Sequence, residues 1–321
     1  MRAWRVHELG EPRDILRWDE VPDPVPHAGV LRLRVDAVAL NFPDLLLCRG
    51  TYQERPPLPF TPGVELVGTV LDGPREGERV LASPVLPAGG LAEQVLVPEA
   101  SALPVPDAMA SATAAGMLVT YQTGWVGLHR RARLAAGETL LVHAGAGGVG
   151  SAAIQLGLAA GARVIATAGG PEKAQVCRDL GAHLVVDYLA EDFVGVVKDA
   201  TEGRGADVVY DSVGGDVFDS SRRCVAFEGR IVVVGFAGGR IADAPTNHAL
   251  VKNYAVVGLH WGLYRTHEPQ LLHTTHAALL ELWAAGQVDP LIGAQLPLSD
   301  APAALARLGE RGTVGKVVLL P

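Results

Sequence analysis

The segment that most limits what this chain can fold into is short. The apolar run Thr139-Leu-Leu-Val-His143 passes into Gly145-Ala146-Gly147-Gly148-Val149-Gly150, and an alanine-rich stretch comes next. A lone Gly-x-Gly-x-x-Gly is weak evidence, but here a strand precedes it, a helix succeeds it, and a second apolar strand comes about twenty residues on. Each glycine answers a separate physical demand. Gly145 permits the tight turn, Gly147 lets the backbone approach a pyrophosphate, and Gly150 lets the helix lie close against the sheet. The helix opening at Gly148 and Val149 supplies unpaired amides and partial positive charge to phosphates. The pattern predicts a dinucleotide-binding corner.

From residue 139 the chain alternates apolar strand, glycine turn and amphipathic segment, with strands expected at 139–144, 163–167, 184–187, 207–211, 230–235 and 255–258. Crossovers of this kind are right-handed and give a doubly wound parallel sheet, a Rossmann fold, with its ligand crevice at the carboxyl ends of the strands. Residues 1 to about 115 read differently. The stretch Val30-Leu-Arg-Leu-Arg-Val-Asp-Ala-Val-Ala-Leu40 alternates apolar and polar residues, and short β-prone runs at 63–71, 79–82 and 91–97 are set apart by proline and glycine turns. That is a mostly β module. A helix over 268–285 and strands over 292–296 and 316–320 are too little for a third domain, so the tail is expected to rejoin the first module. The resulting division is residues 1–121 with 259–321, and residues 122–258.

The second strand of the parallel sheet selects the dinucleotide. An NAD site places Asp or Glu at its end to accept from the ribose hydroxyl; here the chain reads Ile165-Ala-Thr-Ala-Gly-Gly170, with Lys173 just beyond. A cation in place of a carboxylate suits a 2′-phosphate, so NADPH is the expected cofactor.

Composition closes off other classes. Lys plus Arg number 27 against 35 for Asp plus Glu, a net charge of −8 that offers no broad footprint for nucleic acid or an anionic membrane. Cys48, Cys177 and Cys224 are too far apart for a Cys-x-x-Cys motif, and their odd number argues against a disulfide framework. The start, MRAWRVHELGEPRDIL, has charges where an export signal needs an apolar core, so a cytoplasmic protein is expected. The run from Ala144 to Ala162 has only Ser151 and Gln155 as polar residues and a Gly-x-x-x-Gly at Gly157 and Gly161, but it is too rich in glycine and alanine to read as a membrane span.

Beyond the glycine corner the sequence resembles the zinc-independent quinone oxidoreductases, zeta-crystallin-like members of the medium-chain dehydrogenase/reductase superfamily. The likeness covers essentially the whole chain. It is carried by Asn41-Phe-Pro-Asp44, Arg49-Gly-Thr-Tyr52, Pro59-Phe-Thr-Pro-Gly63-Val64-Glu65, Ala115-Gly116, Thr120-Tyr121, Asp207-Val-Val-Tyr-Asp211-Ser-Val-Gly214 and Gly315-Lys-Val-Val-Leu319, in that order. The resemblance implies an α/β protein with a GroES-like, mostly β catalytic domain beside the Rossmann domain. It also implies cofactor contacts at Asn41, Thr120, Lys173, Tyr188 and Arg311. Zinc relatives carry a cysteine near position 41 and a histidine before the glutamate of the Gly-His-Glu segment. Here Asn41 and Val64 stand there, which leaves the ligand set for a catalytic zinc incomplete. His267, His273 and His276 read as exposed helix polarity rather than as metal ligands.

Without a metal, the cofactor carries the chemistry and the protein supplies position and electrostatics. The expected reaction is hydride transfer from NADPH to a quinone or related conjugated carbonyl, with Tyr52 and Asn41 donating to the acceptor oxygen and Asp44 orienting neighbouring donors. His260, Trp261 and Tyr264 are expected to line the acceptor pocket, Arg49 to pair with a carboxylate, and Cys48 to be an inert buried thiol. Two alternatives stay open: a 2-enoyl thioester or alkenal reductase using the same hydride step, and an NADPH-binding structural or RNA-binding protein with little catalysis. The apolar edge strand at 255–259 suits a homodimer.

Overall fold

The computed structural model describes residues 1–310 and 312–321. Its strands, numbered along the chain, are β1 (Arg2–Val6), β2 (Leu16–Glu20), β3 (Val30–Ala39), β4 (Leu66–Val70), β5 (Arg79–Ala82), β6 (Gln94–Pro98), β7 (Leu103–Pro104), β8 (Thr139–Val142), β9 (Arg163–Ala168), β10 (Leu184–Asp187), β11 (Ala206–Asp211), β12 (Val225–Val233), β13 (Ala255–Gly258), β14 (Ile292–Pro297) and β15 (Lys316–Leu320). They fall into two units, Met1–Val119 with Pro290–Pro321, and Thr120–Asp289.

The first unit is organised around β3. Over its first half Leu31, Leu33 and Val35 face inward and the arginines between them outward, as period-two alternation requires. At Asp36 the register against β4 shifts, and from Ala37 to Leu40 every side chain is buried. A bulge of this kind bends the strand and re-aims the residues beyond it, here Asn41. The sheet runs β14-β15-β3-β4-β5-β7, with β6 also on β3. The chain's return through β14 and β15 thereby joins the first module, as the sequence predicts. Among the elements that carried no sequence expectation are the β1–β2 hairpin, in which Trp4 and Trp18 meet at a tilt with ring centroids 5.2 Å apart, and the helix Ala301–Gly309, which buries Ala301, Ala304 and Leu305.

The second unit is the doubly wound α/β sheet, all parallel in the order β10-β9-β8-β11-β12-β13. The order reverses between β8 and β11, and ligands of open α/β sheets bind at the carboxyl ends of strands flanking such a reversal. Helix Gly148–Ala159 lies close on the sheet, since a side chain at Gly157 would run into Leu140 and Val164. Among the described residues no helix is long and apolar enough to cross a membrane.

The division between units differs from the sequence expectation in one stretch. Residues 259–289, expected to belong with the tail, cluster with the second unit. The reason is long-range: Gln122 Nε2 donates to Leu272 O at 3.1 Å, and the Gln155 side chain both donates to Asp289 O (2.9 Å) and accepts from Asp289 N (2.6 Å).

Candidate active site

In the second unit the site is built chiefly from backbone. After β8 the chain turns through Ala144, at φ +50°, into the glycines, with Gly145 N donating to Thr167 O at 2.9 Å. A Cβ on Gly145 would lie 2.8 Å from Cys177 Sγ, and one on Gly150 would meet the carbonyl of Ala144, so these two positions are closed to larger residues by packing. A Cβ on Gly147 would approach only Ala144 O, at 3.3 Å. Gly147 is the N-cap of helix Gly148–Ala159, and no side chain caps that end. Uncapped first-turn amides beside a glycine crowded by a single backbone oxygen fit a pyrophosphate.

At the end of β9 stand Gly169 and Gly170, the latter at φ +88°. Near them Asp187 accepts from Gly170 N (2.9 Å) and Leu189 N (3.0 Å), and so is spent on shaping the loop, while Glu172 lies in the first turn of the helix that follows. The Tyr188 hydroxyl packs where a Cβ on Gly169 would stand, and Lys173 lies in the first turn of helix Pro171–Asp179. Tyr188 and Lys173 thus flank the same short loop. Arg311 lies outside the described residues. Thr120 is buried in helix Leu118–Trp125.

Two buried polar groups near the corner had no sequence expectation. His143, at the foot of the corner, is held between Thr167 Oγ1 (3.0 Å from Nδ1) and Ser221 Oγ (2.8 Å from Nε2). Ser221 gives its own hydrogen to Val217 O at 2.7 Å, so Nε2 is the protonated nitrogen and the Thr167 hydroxyl donates to Nδ1. Burial pushes the His143 pKa down to about 4. Asp211, at the end of β11, accepts from Val213 N (2.8 Å) and Gly214 N (2.9 Å). A histidine or aspartate at a strand end has no sequence signature of its own; only the strand-end position marks it.

In the first unit the site is built from side chains. Asn41 is the N-cap of helix Phe42–Arg49 and forms a capping box with Asp44. Asp44, fully buried, accepts from Asn41 N (2.9 Å), Gly63 N (2.9 Å) and Val64 N (3.1 Å), all three of them backbone donors. Burial pushes its pKa up to about 6, against the pull of those amides and of Lys316. Asn41 differs from expectation. Its Nδ2 donates to Ala39 O (3.0 Å) and Glu65 Oε2 (2.8 Å), and its Oδ1 accepts from Lys316 Nζ (2.7 Å). Both amide hydrogens are used, so none is left to donate to an acceptor oxygen. Lys316 Nζ also donates to Glu65 Oε2 at 3.0 Å, while Glu65 Oε1 accepts from Val119 N at 2.8 Å. Glu65 and Lys316 carry motifs of the resemblance, but their pairing across the chain left no local trace.

Tyr52 is half-buried against the core of the first unit. Arg49 pairs with Glu11 through two hydrogen bonds, at 2.8 and 2.9 Å, and Cys48 is buried, its thiol pushed up to about 12 by desolvation. His260, Trp261 and Tyr264 lie in the second unit just beyond β13. The His260 ring sits over Gly262, Trp261 is buried, and Arg130 lies over the Tyr264 ring at 5.2 Å while pairing with Glu268 at 2.7 Å. Of the three histidines read as exposed polarity, His276 is instead buried: it falls on the inward stripe of helix Gln270–Ala284 with Leu272 and Leu279.

Two family models match the chain: the alcohol dehydrogenase GroES-like domain over residues 27–107 and a family described as zinc-binding dehydrogenase over residues 148–277. Bos taurus quinone oxidoreductase-like protein 2 is 38% identical over 99% of this chain and 93% of its own length. The quinone oxidoreductase of Thermus thermophilus, solved alone and with NADPH, is 36% identical with a TM-score of 0.89, covering all of both chains. Escherichia coli quinone oxidoreductase complexed with NADPH is 29% identical with a TM-score of 0.93, again over the full length of both.

One family description mentions zinc, and the two positions where zinc relatives carry a cysteine and a histidine hold Asn41 and Val64 in this chain. Asn41 is bonded through both ends of its amide, one of them to an ammonium, and Val64 has no donor atom. Among the described residues no three His, Cys, Asp or Glu gather to hold an ion.

Proposed function

Since the chain belongs to the quinone oxidoreductase family of the medium-chain dehydrogenase/reductase superfamily and is an NADPH-dependent oxidoreductase, we propose that it reduces quinones or related conjugated carbonyls by hydride transfer without a metal ion. The observation that carries the metal-free reading is the Lys316 ammonium bonded to Asn41 and Glu65: a resident cation already occupies the donors that a metal would need. The choice of a quinone comes from the names of the relatives, which are quinone oxidoreductases.

Bound NADPH supplies the hydride. The amides at Gly148 and Val149, beside Gly147, hold its pyrophosphate, and Lys173 with Tyr188 holds the 2′-phosphate where an NAD site has a carboxylate. Thr120 contacts the cofactor, and Asn41, its amide hydrogens spent, does so only as an acceptor. Tyr52 donates a hydrogen bond to the acceptor oxygen, where negative charge grows as the hydride arrives, and Tyr52 or water supplies the final proton. Asp44 fixes the backbone at Asn41, Gly63 and Val64. His260, Trp261 and Tyr264 form the aromatic side of the acceptor site. Two copies pair through β13, where Val256 and the neighbouring Leu250 and Val251 leave apolar surface exposed. Three buried free thiols suit the reducing cytoplasm.

The test is NADPH oxidation against naphthoquinones, ortho-quinones, 2-enoyl thioesters and alkenals, each with and without a chelator. Turnover with the quinones, unchanged by chelation, is expected. Turnover of the enoyl compounds or alkenals alone would move the protein to the double-bond reductases, and NADPH binding with no accelerated oxidation would make it a binding protein. Light scattering at the mass of a monomer would remove the dimer.

A further inference from the structure

The first unit holds a group of buried charges, Asp44, Glu65 and Lys316, whose geometry calls for an explanation. Asp44 and Glu65 are fully shielded from water and Lys316 nearly so. Taking such groups out of water is costly, and an apolar set of the same volume supports a fold as well or better. What this set provides is placement. The Glu65 carboxylate divides its work: Oε1 holds the Val119 amide at 2.8 Å, and Oε2 receives Asn41 Nδ2 at 2.8 Å and Lys316 Nζ at 3.0 Å. Lys316 Nζ in turn holds Asn41 Oδ1 at 2.7 Å. Moving either charged group therefore moves the Asn41 amide and the backbone immediately before Thr120.

We propose that Lys316 and Glu65 are positioning residues for the oxidoreduction, the buried ammonium fixing Asn41 directly and the backbone at Val119 through the Glu65 carboxylate. The proposal rests on the cofactor roles given above to Asn41 and Thr120, and adds the two residues that set them. Small displacements of positioning groups cost rate more than binding. Loss of the pair should therefore fall mainly on kcat.

Lys316→Met, Lys316→Arg and Glu65→Gln are compared with the parent by three readouts: kcat with an acceptor the parent turns over, NADPH affinity by fluorescence, and amide hydrogen exchange of the cofactor-free protein. Lys316→Met should lower kcat about tenfold or more while changing NADPH affinity less than about threefold, and Lys316→Arg should recover much of the loss. Exchange around Val119 should quicken in Lys316→Met and Glu65→Gln, while the glycine corner stays as in the parent. If Lys316→Met does not fold, Glu65→Gln, which keeps the shape and removes the charge, decides the matter by the same criteria. A folded Lys316→Met or Glu65→Gln variant with parental kcat and parental exchange at Val119 overturns the proposal. A parent that turns over no acceptor would fail the function proposed above, and the exchange pattern would still decide the role of the pair.

Discussion

The two units handle a buried cationic side chain in opposite ways. The second holds its histidine neutral: His143 is passed from Thr167 to Ser221 in a chain of uncharged hydrogen bonds, while its buried Asp211 is met by the Val213 and Gly214 amides. The first keeps charge inside, with the Lys316 ammonium against the Glu65 carboxylate and Asp44 wrapped in three backbone amides. A backbone site tolerates little change at a few glycine positions and is otherwise indifferent to side chains. A side-chain site depends on partners remote in the chain, each of which is harmful alone once the other is gone. The difference predicts where each unit breaks.

The largest effect should come from unpairing the first unit. Lys316→Met leaves Glu65 buried without its cation, a change that costs roughly 3–5 kcal/mol; Lys316→Met combined with Glu65→Gln should recover most of it. Chemical denaturation of both single variants and of the double variant measures the coupling, and a double loss equal to the sum of the two single losses would mean the pair is not coupled.

Acid should separate the units next. In the fold His143 has a pKa of about 4 against an ordinary 6.5, so its contribution is full above pH 6.5 and is lost as pH falls through 4. Asp44 runs the other way: with its pKa raised from 3.8 to about 6, its contribution is full below pH 3.8 and is lost as pH rises through 6. Each effect is up to about 3 kcal/mol by linkage. Between pH 6.5 and 4 the second unit should therefore weaken while the first gains. Hydrogen exchange at pH 7 and pH 5 reads both. His143→Asn should flatten the response of the second unit alone.

Smaller effects distinguish the glycines. Gly150→Ala places a methyl against the Ala144 carbonyl and should destabilise the second unit by about 2 kcal/mol. Gly147→Ala meets only Ala144 O at 3.3 Å, so the melting temperature should barely move while NADPH binding weakens. The smallest change expected is in Lys173→Ala: a rise of about tenfold in KM for NADPH with NADH nearly unaffected, as loss of one charge-assisted bond to a phosphate implies. Equal effects on the two cofactors would remove Lys173 from the 2′-phosphate.

Much of the second unit was legible because its signals are local. The order of apolar runs and glycine turns placed all six strands of the parallel sheet, although β12 begins at Val225, earlier than expected, through a bend at Glu228 with φ +58°. In the first unit the alternation of β3 was readable and the bulge at Asp36 was not, since a one-residue shift is set by the partner strand. Asn41 shows the same limit at the site. Its residue type suggested a donor, but the Ala39 carbonyl and the Glu65 carboxylate had already taken both hydrogens.

By itself the sequence determined the dinucleotide corner, the missing carboxylate after β9 and the return of the tail to the first module. These come from backbone conformation, helix amides and apolar periodicity, each written in a few consecutive residues. Only the tertiary structure decided that 259–289 sides with the second unit, that His143 is a neutral bridge, and that Lys316, Glu65 and Asn41 share one buried point. Those outcomes depend on which distant groups are left to satisfy one another once water is excluded, and that pairing exists only in the folded chain.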